Sequence, residues 1–284
     1  MSRRVLVPYD SSEQAQYALS HALRVFESAE IALVHVVKPI DGGDGEHGAG
    51  YEQQIETAER MLEGACEWYD DAERERIETV VRYGRPVRQL LEYATTEGID
   101  QIVLGSRGRE GTARLLLGSV AETVVRRSSV PVTVVRNPTE EFDPEHVLVP
   151  FDASTGSRTA LEHALERFPA ADVTALYVAS PPVGGIEGAD RLLSALGDWE
   201  DDREEQVGSV LDVAEELAAE HDRDITTTST DGDPSDTVVG YATSGDVDHV
   251  VLGSTGRDGI ARLMLGSVAE TVVRRSPVTV TIAE

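Results

Sequence analysis

Cysteine is almost missing from this chain. Cys66 is the only one, so no intrachain disulfide forms, and without cysteine pairs a structural zinc site has no basis. No stretch approaches the roughly 20 apolar residues of a membrane span. Met1-Ser2-Arg3-Arg4 runs directly into an apolar strand pattern with no signal peptide ahead of it, so the expected setting is soluble and cytoplasmic. The sequence G-x-x-x-x-G-K-[ST] is absent, and Lys38, the sole lysine, follows the second strand; a Walker-type nucleotide hydrolase is excluded. No G-x-G-x-x-G follows the first strand of either half, which argues against a dehydrogenase. The seven histidines, His21, His35, His47, His146, His163, His221 and His249, show no zinc-ligand spacing. His21 and His163 lie beside an apolar stripe and read as packing or surface residues. Ser106 and Ser254 have no evident His-Asp pair to activate them, so a hydrolase triad is not expected. The segment 41–50, rich in glycine and acids, reads as a flexible loop without calcium-loop spacing.

Positive charge is the other scarcity. Lys and Arg number 25 against 52 Asp and Glu, a net of 25 − 52 = −27. The first 142 residues hold 16 basic and 24 acidic side chains (−8), and the remainder 9 and 28 (−19). Such a surface repels nucleic acid and anionic lipid, so neither is an expected partner. Apolar periodicity excludes a disordered acidic chain. Acid excess with almost no lysine predicts adaptation to high salt, where the Debye length falls to about 3 Å and self-repulsion is screened.

What is present is a duplication. Arg4-Val5-Leu6-Val7-Pro8-Tyr9-Asp10 matches His146-Val147-Leu148-Val149-Pro150-Phe151-Asp152 at an offset of 152 − 10 = 142. The offset holds through a helical stripe of Ala18, Leu19, Ala22, Leu23 and Phe26, matched by Ala160, Leu161, Ala164, Leu165 and Phe168. Ser12 and Ser154 stand where N-caps belong. A second strand over 31–37 matches 173–179. Beyond Gly84-Arg85-Pro86 and Gly232-Asp233-Pro234 the offset becomes 232 − 84 = 148, and the six extra residues are placed in a loop over 181–197. Each half alternates strands and helices, which predicts an α/β fold with a parallel sheet covered on both faces. Domains are expected at 1–137 and 145–284, joined by the proline- and acid-rich stretch 137–144.

Within this duplication lies a glycine pattern, G-x-x-G-x9-G-S, occurring twice. Gly105, Gly108, Gly118 and Ser119 follow the apolar run 102–104, and Gly253, Gly256, Gly266 and Ser267 follow 250–252. Each leads into Val-Ala-Glu-Thr-Val-Val-Arg-Arg-Ser. A glycine loop between strand and helix suits an anion: Gly105 and Gly108 let backbone approach it or adopt positive φ, and Gly118-Ser119 places N–H groups and a hydroxyl at a helix start. The surrounding charge is positive. Arg107, Arg109, Arg114, Arg126, Arg127 and Arg136 face Glu110 and Glu122 (6 − 2 = +4), and Arg257, Arg262, Arg274 and Arg275 face Asp258 and Glu270 (+2). The arginines late in the helix complement its dipole; those in the loop suit a polyanion. Asp10 and Asp152, just past the first strand, stand where doubly wound sheets bind ligands, with a turn role as the alternative.

These residues resemble a tandem universal stress protein of the UspA-like, adenine-nucleotide-binding branch, over nearly the whole chain. The resemblance implies five parallel strands per half in the order 3-2-1-4-5. It implies that Pro8, Tyr9, Asp10 and Val36, with Pro150, Phe151, Asp152 and Val178, surround adenine and ribose. Leu104, Gly105, Arg107, Gly108, Gly118, Ser119 and Val120 match the phosphate side. Their counterparts are Leu252, Gly253, Thr255, Gly256, Gly266, Ser267 and Val268. The implied ligand is ATP or another adenine nucleotide, with Mg2+ or Mn2+ as a companion ion. Family dimers pair through their last strands, here 132–136 and 278–282, so the halves are expected to pair within one chain, with a homodimer as a further option. The implied role is a nucleotide-dependent stress regulator without catalytic residues. The alternatives are a slow ATPase or phosphotransferase, and a structural stress protein that binds adenylates incidentally. Thr255 in place of Arg107 costs the second site a cation.

The charge balance yields a test. Screening should favour the folded chain, so lowering KCl from molar to tens of millimolar is expected to lower the melting temperature. An unchanged melting temperature across that range contradicts salt adaptation.

Overall fold

The computed structural model describes residues 3–39, 49–106, 117–136, 144–180, 189–244, 246–254 and 265–284. They fall into two compact units, Met1–Asp143 and Pro144–Glu284. The first contains β1 (Arg4–Pro8), α1 (Glu13–Val25), β2 (Glu30–Val37), α2 (Ala49–Cys66), α3 (Asp71–Glu75), β3 (Ile77–Tyr83), α4 (Pro86–Thr96), β4 (Gln101–Gly105), α5 (Ser119–Arg127) and β5 (Val132–Val135). Its strands lie side by side as β3-β2-β1-β4-β5, every pair parallel. The second contains β6 (His146–Pro150), α6 (Thr155–Arg167), β7 (Asp172–Ala179), α7 (Ala189–Glu220), β8 (Thr226–Asp231), α8 (Pro234–Ser244), β9 (His249–Gly253), α9 (Ser267–Arg275) and β10 (Thr279–Ala283). Its order, β8-β7-β6-β9-β10, repeats the first. Counted within each unit, both sheets follow the expected 3-2-1-4-5.

Strands covered on both faces need apolar residues without interruption. Val5, Leu6 and Val7, like Ile102, Val103 and Leu104, are therefore all buried. Alternation divides them between two cores. Val5, Val7, Ile31, Leu33, Val103 and Val135 join Ala18, Leu19, Ala22 and Leu23 of α1 and Leu62 and Ala65 of α2. On the other face α4 packs against α5, as α8 does against α9.

Helix α1 is fixed at both ends. The Ser12 hydroxyl accepts from Ala15 N at 3.2 Å, and Ser154 does the same for Ser157 N at 3.3 Å, which satisfies an N–H that the helix leaves open. At the far end, the Arg76 guanidinium donates to the carbonyls of Leu23, Phe26 and Ala29. Arg223 donates to Leu165, Phe168 and Ala171, the matching acceptors. Each arginine ties the C-terminus of the first crossover helix to the start of the next strand. Between the fourth and fifth strands a buried polar pair recurs: Gln101 Nε2 donates to Thr133 Oγ1 at 2.8 Å, and His249 Nε2 lies 2.8 Å from Thr281 Oγ1.

Two segments depart from the sequence reading. Residues 189–197, expected as loop, are the first turns of α7, which continues for 32 residues. Gly197 and Gly208 look like breaks, yet an interior glycine costs a helix only about 1 kcal/mol, and Leu192, Leu193 and Leu196 keep helical spacing. Likewise Ala49 and Gly50, expected in the acidic loop, open α2; residues 41–48 and most of the linker, 137–143, lie outside the described residues. Helix α3 was not expected at all. It is a single capped turn, in which Asp70 and Glu73 exchange side-chain and backbone hydrogen bonds.

His21 on α1 is buried, and burial lowers its pKa from 6.5 to about 4. Between these values the unfolded chain binds the proton and the folded chain does not. This contribution is therefore intact above about pH 6.5 and is lost as pH falls toward 4, on the order of 3 kcal/mol in total. Denaturant titrations across that window should show the slope in the native chain and lose it in His21→Leu; equal slopes would show that His21 takes up its proton while folded.

Candidate functional site

In each unit the chain leaves the central strand in one direction and returns to continue in the other. The reversal falls between β1 and β4, and between β6 and β9, where the outgoing connections part and leave a crevice at the carboxyl ends. The register brings the expected residues to that rim. Pro8 stands opposite Val34, Leu6 opposite Ile102, and Tyr9 N donates to Val34 O at 2.9 Å. Tyr9 and Asp10 therefore emerge between half-buried Val36 and the Leu104-Gly105 end of β4. Phe151 N makes the same bond to Leu176 O at 2.8 Å, which sets Pro150, Phe151 and Asp152 beside Val178 and the Leu252-Gly253 end of β9.

The loop after the first strand is a strained turn held by its aspartate. Asp10 Oδ1 accepts from Ser12 N at 3.0 Å, and Asp152 Oδ1 from Ser154 N at 3.0 Å. Between donor and acceptor, Ser11 and Ala153 both sit at φ 60°, a left-handed conformation costing non-glycine residues roughly 1–2 kcal/mol. Strain repeated at the same point of both copies fits a loop shaped for a ligand. Around it the copies differ. Tyr9 Oη donates to Gln16 Oε1, Gln16 Nε2 donates to Tyr69 Oη, and Ser20 Oγ lies 2.7 Å from Tyr69 Oη. His35 Nδ1 is 2.6 Å from Tyr9 O. In the second unit Phe151 has no hydroxyl, and Arg158, at the position of Gln16, donates from Nε to Ala153 O at 3.1 Å.

Gly105 and Gly253 have a different reason from the one the motif suggests. Neither lies at positive φ, and a Cβ at Gly105 would stand 2.6 Å from Gln14 O; at Gly253 it would meet Gly156 C and O at 2.3 Å. These glycines let the first helix press its backbone onto the end of the fourth strand. Gly118 and Gly266, at φ −68° and −62°, are ordinary N-caps of α5 and α9.

Hydrogen bonds clamp the base of the glycine loop identically in both copies. Ser106 N donates to Val135 O (3.0 Å) and Gly118 N to Ser106 O (2.8 Å); Ser254 N donates to Ala283 O (3.1 Å) and Gly266 N to Ser254 O (2.8 Å). The loop thereby returns α5 and α9 to the crevice. Both begin with a glycine N-cap and no side-chain cap, so the first-turn N–H groups at Ser119, Val120 and Ala121, and at Ser267, Val268 and Ala269, point outward with no cap of their own. Helix α1, at the same rim, is closed by Ser12.

Arg107, Gly108, Thr255 and Gly256, with the loop charges Arg109, Glu110, Arg114, Arg257, Asp258 and Arg262, lie outside the described residues. The late-helix arginines occupy the last turns of α5 and α9, where Arg275 reaches Asp236 at 2.6 Å and Arg274 reaches Glu270 at 3.1 Å. Among the described residues, no group of three His, Cys, Asp or Glu is placed to hold a metal ion, and no helix is long and apolar enough to cross a membrane. The Arg76 and Arg223 tethers escaped the sequence reading because they fall where the repeat offset shifts.

The fold and site thus define a duplicated, doubly wound α/β protein with one crevice per copy, each faced by an open helix N-terminus. The model of the Universal stress protein family matches residues 1–136 and 144–284, and the chain belongs to that family as a tandem member. It is 28% identical to universal stress protein MJ0577 of Methanocaldococcus jannaschii over 155 residues, 48% of this chain and 96% of the relative. Universal stress protein MJ0531 of the same organism is 30% identical over 149 residues, 49% and 85% of the respective chains. A universal stress protein from Archaeoglobus fulgidus shares the fold along 100% of this chain and 99% of its own, at TM-score 0.73 and 24% identity.

The contact at Gly253 makes a sharp stability prediction. Gly253→Ala forces a methyl into backbone and should cost about 1–3 kcal/mol or more. Gly64→Ala, where a Cβ meets nothing within 4 Å inside α2, should gain about 0.5–1 kcal/mol. Urea midpoints of the two variants should fall on opposite sides of the parent; a neutral Gly253→Ala contradicts the packing account.

Proposed function

We propose that each half binds an adenine nucleotide in its crevice and that the protein acts as a nucleotide-dependent regulator. The observation that carries this is the pair of helix N-termini, α5 and α9, that carry no side-chain cap at the rim of the switch point. Three aligned N–H groups and the positive end of the dipole suit a phosphate. Gly118, Ser119 and Val120, with Gly266, Ser267 and Val268, supply that end. The motif residues Arg107 and Gly108, and Thr255 and Gly256, complete the phosphate side. Pro8, Tyr9, Asp10 and Val36, and Pro150, Phe151, Asp152 and Val178, flank the base and ribose; the strained turn leaves each aspartate at the rim while its Oδ1 holds the loop. Any Mg2+ or Mn2+ enters with the phosphates.

The site suits binding better than turnover. Hydrolysis needs a positioned water and a group to activate it, and the rim carboxylates Asp10 and Asp152 are engaged by their own turns. Steady-state assays should find turnover well below about 1 per second; a rate at or above that restores the ATPase reading.

The first half should bind ATP more tightly. An arginine-phosphate bond is worth about 1.5–3 kcal/mol, roughly ten- to a hundredfold in affinity, and Thr255 lacks the charge. Calorimetry on Gly108→Val and Gly256→Val variants isolates the two sites; equal affinities at the sites that remain contradict the ranking.

A further inference from the structure

The sheet of the first unit ends on β3, and nothing among the described residues pairs with the outer side of that strand. Two hydrogen bonds to β2 assign its backbone groups. Ile31 N donates to Arg76 O, and Gly84 N donates to Val37 O. By the alternation of a parallel ladder between them, Glu78, Val80 and Arg82 turn their N–H and C=O groups toward β2, whereas Ile77, Thr79, Val81 and Tyr83 turn theirs outward. An open edge is normally shielded by short length, proline, a bulge or charge that repels an added strand. β3 has seven residues, no proline and an unbroken register, and Val80, Val81 and Tyr83 are only half-buried. Its charges are one of each sign. Glu78, whose Oε2 accepts from Arg4 Nη2 at 2.7 Å, has a side chain 58% exposed. Arg82 lies over the Tyr93 ring at 5.1 Å, its Nε is buried without a hydrogen bond, and no carboxylate among the described residues pairs with it.

We propose that β3 is the pairing edge of a homodimer, adding antiparallel to the β3 of a second copy with the twofold axis at Val80. That register is selected twice. Pairing through the outer edge must match outward residues with outward residues, and centring on Val80 sets Ile77 opposite Tyr83 and Thr79 opposite Val81 in hydrogen-bonded pairs. In the same register Glu78 of each copy faces Arg82 of the other, in non-hydrogen-bonded pairs whose Cα atoms stand about 4.5 Å apart. A slip of two residues either way leaves Glu78 or Arg82 opposite Val80. The strand is thus its own complement, and its charges discourage a strand without the matching pair. On the α2 face Tyr83 is braced edge-on against Tyr51, with ring centroids 4.9 Å apart. Glu52, Glu56 and Glu59 of α2 line a groove beside Val81 and recur across the axis, so the pair needs salt to screen them. The second unit lacks such an edge: β8 reads Thr-Thr-Thr-Ser-Thr-Asp, and its Thr227 and Asp231 are engaged by Glu215 and Arg203. One self-complementary edge per chain closes a dimer and propagates no filament. The pairing is independent of what the crevices hold.

The test uses the full chain in molar KCl, followed by sedimentation velocity over a range of concentrations. The parent should pass from monomer to dimer as concentration rises. Amide hydrogen exchange at Thr79 and Val81 should slow in step, while the inward amides of Val80 and Arg82 stay protected throughout. Glu78→Arg and Arg82→Glu each set like charges opposite one another and should weaken self-association at least about tenfold. Mixing the two variants in equal amounts restores both opposite-charge pairs and should restore the dimer, a rescue that a variant unable to fold could not show. Thr79→Pro removes an N–H that bonds nothing among the described residues, so it should abolish the dimer at an unchanged melting temperature. A parent that stays monomeric at every concentration overturns the inference. So does a dimer that forms without slowing exchange at Thr79 and Val81, or single charge variants that associate as the parent does.

Discussion

The site depends on a contact that leaves no room for a single carbon atom. Where the fourth strand of each copy ends, the first helix lies against it backbone to backbone, and a Cβ on Gly105 or Gly253 would stand 2.6 or 2.3 Å from helix atoms. That contact draws the start of α1 or α6 to the rim, and with it the aspartate turn and its left-handed residue. It also fixes where the glycine loop departs, so the clamp through Ser106 or Ser254 returns α5 or α9 with its N–H groups facing the same crevice. Removing the contact moves the two sides of the proposed ligand apart.

Much of this was legible in the sequence because it is local. The two repeat offsets located both copies. The helical stripe of α1 and its serine cap follow from spacing and side-chain chemistry, and the strand order follows from the family the repeat resembles. Other features arise from contacts between residues distant in sequence, which no local pattern encodes. Gly105 was recognised as necessary, but its reason lies in Gln14 of a different element. Arg76 and Arg223 look like unremarkable surface cations until the helix end they close is folded beneath them. Residues 189–197 were expected within a loop, yet they open α7, which runs on through Gly208, because an interior glycine costs a helix only about 1 kcal/mol.

Charge separates what the fold repeats. The two copies share topology, strained turn, loop clamp and helix cap, so their differences stand out against a constant frame. Tyr9, Gln16 and Tyr69 tie the first crevice to the turn that follows α2 by hydrogen bonds, whereas the second offers Phe151 and an arginine at 158. Thr255 stands where the first copy has Arg107, in a half that already carries most of the chain's net negative charge.

The central claim is that the N-termini of α5 and α9 receive the phosphate of an adenine nucleotide. Backbone amide resonances followed during an ATP titration test it most directly. The account predicts the largest shifts at Ser119, Val120 and Ala121, and at Ser267, Val268 and Ala269, with smaller shifts at Asp10 and Asp152. Saturating ATP that leaves those helix-start amides unmoved, or that moves only residues away from the two crevices, contradicts it.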